Sequence, residues 1–147
     1  METTASFLHH LGVFASDFEA SERFYTSALG ALGIGVGYRA DGVAEYWSPE
    51  RDTPSLSLER AEDAVTAGVH IAFTAVSRDA VDAFHSAAVA AGGASRHGPR
   101  TWGEYRAYCA FVSDPDGNNI EAVHKETSWR SDAGVQDHVD RSAVGPR

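Results

Sequence analysis

The sequence lacks several features that would assign it to a large class of proteins. Cys109 is its only cysteine, which excludes an intrachain disulfide and fits a reducing, cytoplasmic location. No apolar run approaches the roughly 18 residues of a membrane span, and the first residues lack the basic start and apolar stretch of a secretory signal. Lys and Arg number 12 against 21 Asp and Glu, and the formal charge of −9 argues against a nucleic-acid partner.

The chain has 147 residues, which is long enough for one domain with a core. One segment of its sequence is repeated once. Residues 10–24, HLGVFASDFEASERF, align without a gap with residues 70–84, HIAFTAVSRDAVDAF. A histidine, an apolar alternation and a helical spacing recur in both segments. Because a duplication puts equivalent residues on related elements, we expect His10 and His70 to point into one shared place.

Periodicity and turn residues predict the same order of elements in both halves. The first half is predicted to contain a strand at 7–14, a helix that starts at a capping box of Ser16 and Glu19 and ends at Gly33, and strands at 36–39, 43–47 and 55–59. The second half is predicted to contain a strand at 69–75, a helix at 78–91, and strands at 94–97, 105–113 and 118–124, with a DPDG turn before the last. The pattern therefore predicts an α+β fold of two β-α-β-β-β modules, 7–59 and 69–124, followed by a loosely ordered tail, 125–147.

Strand alternation gathers residues that could hold a metal ion. His10 and His70 each face away from the apolar residue that follows, and Glu121 faces away from its two apolar neighbours. Two imidazoles and one carboxylate on separate strands can bind a divalent ion and leave positions open for a substrate. The set suits Fe(II), while Zn, Mn, Ni and Co remain compatible. His9 falls on the other face and is not expected to be a ligand.

These features together resemble the vicinal oxygen chelate superfamily, which includes glyoxalase I, extradiol dioxygenases and bleomycin-resistance proteins. The resemblance rests on the paired modules, on a histidine at the start of each, on the FY pair of the first helix and on the segment DPDGNNIE, and it covers about residues 7–124. It implies that the sheets form an incomplete barrel around one divalent ion held by His10, His70 and Glu121. It also implies a small-molecule substrate bound through its oxygens, and a homodimer.

Within that superfamily the sequence favours lyase, isomerase or epimerase chemistry over ring cleavage. Extradiol dioxygenases carry a tyrosine where this chain has Phe111, and a histidine upstream that residues 101–105 lack. Glyoxalase I uses a second glutamate from its first module, and either Glu59 or Ser57 could occupy that position here. Thiol transferases of the fosfomycin type need several cationic groups, which are scarce near Glu121.

Residues near the expected metal are candidates for substrate binding and proton transfer. Trp102 is predicted to lie in a Gly/Pro-bounded loop before the strand that leads to Glu121. Glu104, beside it, and Glu121 are the candidate catalytic carboxylates. The other candidate substrate contacts are Trp47, Tyr105 and Arg106, although packing alone explains an aromatic residue equally well.

Two other functions remain open at this stage. A binding protein of the bleomycin-resistance type would sequester a cationic, planar drug without metal. The acidic charge and the aromatic residues suit it, but the complete ligand triad does not. A metal ion that only stabilises the fold is disfavoured, because structural zinc has four protein ligands, a set that Glu59 would complete.

Overall fold

The computed structural model of the chain describes residues 7–48 and 53–126, and within them the predicted order of elements is confirmed. The elements are β1 (Leu11–Ala15), α1 (Phe18–Gly30), β2 (Gly35–Ala40), β3 (Val43–Ser48), β4 (Thr53–Arg60), β5 (His70–Thr74), α2 (Arg78–Ala90), β6 (Ala94–Trp102), β7 (Ala107–Ser113) and β8 (Asn119–Lys125). In the described part of the chain, neither helix has the length and apolar character that crossing a membrane requires. The predicted tail lies outside the described residues from residue 127 onward.

Both helices begin at a side-chain cap in equivalent positions of the repeat. Asp17 caps α1 and Ser77 caps α2, each accepting a hydrogen bond from the backbone N–H three residues later, at 3.0 and 3.1 Å. The predicted capping box of Ser16 and Glu19 is therefore wrong by one residue. Ser16 instead donates hydrogen bonds to Asp116 of the second module, from its backbone N–H at 3.1 Å and from its hydroxyl.

The eight strands form two sheets of the same topology, β1-β4-β3-β2 and β5-β8-β7-β6. The first pair in each sheet is parallel and the others are antiparallel. The sheets are not closed into a barrel, which agrees with the expected incomplete one.

The edge strand β6 differs most from its prediction. It continues past His97 to Trp102, through Pro99, with register shifts between Ser95 and His97 and between His97 and Arg100. Bulges in an edge strand tolerate proline and disturb the alternation of side chains. Trp102 is consequently fixed at the end of a strand, and its prediction as a loop residue is wrong.

The two modules share one apolar core. Helices α1 and α2 pack against each other, and their buried side chains join one face of each sheet in a single cluster. Phe24 of the first module lies against the backbone of the second, since a Cβ atom at Gly93 would be 2.6 Å from its ring. Because strand side chains alternate, the opposite face of each sheet points away from the helices. We call these the outer faces, and His70 and Glu121 lie on that of the second sheet.

The turn between β7 and β8 ties the second module to the first, and its DPDG prediction is confirmed by a 3.0 Å bond from the Gly117 N–H to the Asp114 carbonyl. The buried carboxylate of Asp114 accepts hydrogen bonds from the Tyr25 hydroxyl of α1 at 2.6 Å and from the backbone N–H groups of Asp116 and Asn118 at 2.9 Å each. Burial, followed by the charge of Asp114, raises the pKa of Tyr25. Its hydroxyl therefore remains protonated and remains a donor.

Candidate metal centre

The outer face of the second sheet brings two predicted ligands together. Strands β5 and β8 are parallel neighbours in which Ala72 is level with Glu121, two residues beyond His70. The Nε2 atom of His70 lies 2.8 Å from Oε2 of Glu121. Glu121 is only 8% exposed, so the imidazole is a principal polar neighbour of a nearly buried carboxylate. Imidazole nitrogen and carboxylate oxygen both ligate divalent ions, and this pair fits part of a metal centre.

Two side chains of β7 enclose Glu121 on the same face. Phe111 is its register partner, and Cys109 lies diagonally from it; both are buried. Burial, with the charge of Glu121 and a hydrogen bond to its carboxylate, raises the pKa of Cys109 to about 12. The thiol is therefore protonated at neutral pH and donates to Glu121. This contact was not predicted from the sequence, in which its only signal was that positions 109 and 111 share a strand face.

His10 is not brought to this pair within the chain. Strand β1 begins at Leu11, so His9 and His10 precede it, and both are exposed. Their Nδ1 atoms lie 2.8 Å apart, with ring planes at 78°. The expectation that they face opposite ways is wrong, because side-chain alternation does not hold before the first paired residue. Across residues 7–48 and 53–126, no three His, Cys, Asp or Glu side chains form a group that could hold a metal ion.

The register of β1 against β4 identifies the first-module counterpart of Glu121. Gly12 is level with Ser57, just as Ala72, the residue that matches Gly12 in the repeat, is level with Glu121. Ser57 therefore occupies the position equivalent to Glu121. Glu59 lies on the same outer face but two residues further along β4.

Aromatic rings form a wall beside Glu121. Trp102 and His97 pack edge-on against Phe111, with ring centroids 5.5 and 5.7 Å away. The guanidinium of Arg100 stacks on Trp102, 3.4 Å from the ring centroid. The indole nitrogen of Trp102 and the hydroxyl of Tyr105 are buried without a hydrogen-bond partner among the described residues. Burying such a donor unpaired is costly, so an acceptor on a bound molecule would relieve that cost.

Glu104 and Arg106 lie where the chain turns from β6 into β7. A single 3-10 turn, Gly103–Tyr105, leads to Arg106, which has a positive φ of 48°. Both charged side chains are exposed, and Lys125 donates a hydrogen bond to the Tyr105 carbonyl. They lie next to the aromatic wall, at the end of β6.

Trp47 lies on the outer face of the other sheet. Its indole nitrogen donates to Glu45 at 3.2 Å, and its ring covers Gly37, where a Cβ atom would be 2.3 Å from Cγ of the indole. Glycine at 37 is thus required for this ring position. The structure therefore places Trp47 on the first sheet and Trp102 and the His70–Glu121 pair on the second, with Tyr105 in the turn that follows β6.

Known proteins match the whole two-module region. The sequence profile described as Glyoxalase/Bleomycin resistance protein/Dioxygenase superfamily matches residues 7–122. A solved glyoxalase/bleomycin resistance protein from Albidiferax ferrireducens T118 is 34% identical over 81% of this chain and 98% of its own, with a TM-score of 0.70. A glyoxalase-related enzyme from Fulvimarina pelagi is 21% identical over 84% and 88% of the two chains, with a TM-score of 0.62. A lactoylglutathione lyase from Agrobacterium tumefaciens is 20% identical over 83% and 96%, with a TM-score of 0.60. Comparison with curated proteins gives no match.

Proposed function

The chain belongs to the glyoxalase/bleomycin resistance protein/dioxygenase superfamily, and from this premise we propose that it is a divalent-metal-dependent enzyme acting on a small molecule. The observation that carries the proposal is the contact between His70 and the nearly buried Glu121. A sequestering pocket has no need of such a pair. Lyase, isomerase or epimerase chemistry is favoured over ring cleavage, because Phe111 stands where ring-cleaving members have a tyrosine.

We further propose a homodimer in which His10 of a second copy completes the centre. Within one chain, His10 adjoins the first sheet while His70 and Glu121 lie on the second. On the outer face of the first sheet, Phe14 and Tyr38 are 42% and 52% exposed, and contact with another copy would bury them. A two-fold dimer that lays the first sheet of one copy on the second sheet of the other would cover these rings and form two equivalent centres.

A divalent cation held by His10, His70 and Glu121 would act as a Lewis acid toward a substrate oxygen. The other roles fall to the chain's own residues. Phe111 and Trp102 would exclude water from one side and pack against the substrate, with Tyr105, Arg106 and Trp47 as further contacts. Glu104 or Glu121 would carry the proton that lyase, isomerase or epimerase chemistry moves.

Metal content is the direct test of this proposal. Untagged protein purified without chelator is expected to carry about one divalent ion per chain, since each copy contributes one full set of ligands. Removing the ion should lower the thermal unfolding midpoint, because a ligand bound only by the folded state stabilises it.

The variant His70→Ala should lose the ion. His85→Ala is the matched control, because His85 bonds Ser95 at 2.8 Å, away from Glu121. Metal-free wild type that gains no stability from added ions would refute the proposal. Tight binding of a cationic drug unaffected by His70→Ala would then favour sequestration.

A mixture of two variants, each unable to bind the metal alone, tests whether the centre is shared between two copies of the chain. His10→Ala and His70→Ala chains, unfolded and refolded together in equal amounts, should regain about a quarter of the wild-type metal capacity, because half of the dimers are mixed and each holds one intact centre. Each variant refolded alone should bind none. Failure of the mixture to regain any capacity, with dimers present, would place the third ligand elsewhere.

A further inference from the structure

Arg100 is an exposed cation that is stacked on an aromatic ring and has no carboxylate partner. Its guanidinium carbon lies 3.4 Å from the centroid of the Trp102 ring. Within residues 7–48 and 53–126, no Asp or Glu lies at ion-pair distance from Arg100, and its side chain makes no hydrogen bond. Stacking uses the flat face of a guanidinium, so the N–H donors in its plane remain available to a ligand.

Two other arginines of the described chain, Arg60 and Arg78, also lie over aromatic rings. Each of these has a carboxylate as well. Arg60 forms an ion pair with Glu19 at 3.0 Å, and Arg78 forms one with Glu126. Acidic residues are abundant in this chain, with 21 Asp and Glu against 12 Lys and Arg. Arg100 therefore has the ring of this arrangement without the anion that accompanies it in the other two cases.

The rings between Arg100 and the candidate metal centre form a continuous row. The Trp102 ring lies 5.5 Å from that of Phe111, and the Phe111 ring lies 6.0 Å from that of His70, centroid to centroid. Phe111 is also the register partner of Glu121. One small molecule lying along Phe111 can therefore contact Arg100 at one end and reach the His70–Glu121 pair at the other.

The surroundings of Arg100 offer further donors and positive charge. The indole nitrogen of Trp102 and the hydroxyl of Tyr105 have no hydrogen-bond partner among the described residues. Lys125 lies at the same level of the sheet as Trp102, since both are register partners of Ala107. A ligand with negatively charged oxygens would satisfy this end of the sheet, whereas a cation would be repelled by Arg100 and Lys125.

We propose that Arg100 binds an anionic group of the substrate, a carboxylate or a phosphoryl group, while the reacting end of the molecule lies at the candidate metal centre. That the bound molecule is the substrate rests on the proposed function, but the anion site itself does not. A guanidinium fork binds either group through two parallel hydrogen bonds. Trp102 is a positioning residue that holds the fork in place. The substrate class is then a small acid whose apolar part packs on Phe111.

The test compares three probes of similar shape: benzoate, phenyl phosphate and the uncharged benzamide. Each is titrated calorimetrically into the full-length chain after removal of metal, so that no probe can bind through an ion. At least one of the two anions should bind at least about tenfold more tightly than benzamide, because a charge-assisted pair is roughly twice as strong as a neutral hydrogen bond. The anion that binds more tightly distinguishes a carboxylate site from a phosphoryl site.

Substitutions at Arg100 and Trp102 locate the effect. Arg100→Gln should lower the affinity for the preferred anion at least about tenfold and leave benzamide binding unchanged. Arg100→Lys should restore only part of the affinity, because an ammonium keeps the charge but not the fork. Trp102→Leu should weaken anion binding less than Arg100→Gln does, since the charge remains. Arg39→Gln is the matched control, because it removes another exposed guanidinium, which pairs with Glu22 at 3.1 Å in the first module.

The outcomes separate this proposal from the proposed function. If benzoate, phenyl phosphate and benzamide bind alike to wild type, if neither anion binds at millimolar concentration, or if Arg100→Gln keeps the preference, the anion site is refuted and the metal proposal still holds. Equal losses in Arg39→Gln and Arg100→Gln would assign the preference to overall charge and also refute the role of Arg100. If the preference depends on Arg100 but the chain binds no divalent metal, the anion site holds and the enzyme proposal fails.

Discussion

Replacing Glu121 with glutamine is expected to lower the affinity for a divalent metal by at least about a hundredfold, beyond the usual cost of losing an outer partner. The substitution removes the negative charge that attracts the cation, yet it preserves the size of the side chain and an oxygen for His70. Because Glu121 is nearly buried, water cannot readily replace the lost ligand. Calorimetric titration of the metal-free chains with Mn²⁺ or Co²⁺ measures the change.

Glu62→Gln is the control for this result, because Glu62 is exposed in the segment between the modules. It makes the same chemical change and should leave metal affinity as in wild type. The metal-free Glu121→Gln chain should still unfold cooperatively, which separates loss of the ligand from loss of the fold. Equal affinity in Glu121→Gln and wild type would remove Glu121 from the centre.

Replacing Asp114 with alanine is expected to lower the free energy of unfolding by about 3 kcal/mol or more, since each buried donor left unpaired costs about 1–3 kcal/mol. The carboxylate accepts hydrogen bonds from the Tyr25 hydroxyl and from two backbone N–H groups of its own turn. That loss is a large part of the roughly 5–15 kcal/mol by which domains of this size are stable. Urea unfolding followed by circular dichroism measures it.

Two companion substitutions locate the origin of the effect. Tyr25→Phe removes one of the hydrogen bonds and should destabilise the chain less than Asp114→Ala does. Asp41→Ala removes an exposed carboxylate that contacts Arg60 at 3.3 Å and should leave the urea midpoint unchanged. A midpoint for Asp114→Ala equal to that of Asp41→Ala would show that the turn does not stabilise the junction of the modules.

The fold could be predicted from the sequence wherever periodicity and turn chemistry act locally. The helical spacing and the DPDG turn depend on residues close in the chain, so both were predicted. The errors arise where residues that are distant in the sequence determine the local structure. Ser16 could have capped α1, but Asp116 takes its hydrogen bonds and Asp17 becomes the cap. The extension of β6 through Pro99 depends on pairing with β7, which its own composition does not reveal.

In the candidate site, too, the features set by local patterns were predicted and those set by strand pairing were not. The repeat and strand alternation predicted that His70 and Glu121 share a face, because both lie in paired strands. Whether Ser57 or Glu59 corresponds to Glu121 could not be counted from the sequence, since strand register fixes it. The convergence of His9 on His10 could not be foreseen either, because periodicity carries no information about residues that precede a strand.

The single core shared by the two helices bears on the history of the repeat. The buried side chains of both helices belong to one cluster, so separating the modules would expose the part of α1 that packs against α2. The repeated segment is therefore a unit of sequence whose apolar surface is completed by its counterpart. Two separate copies of such a segment would have to associate to cover that surface, and dilution opposes association. Joining two copies in one chain holds them at a fixed effective concentration, so the pairing no longer depends on how much protein the cell makes.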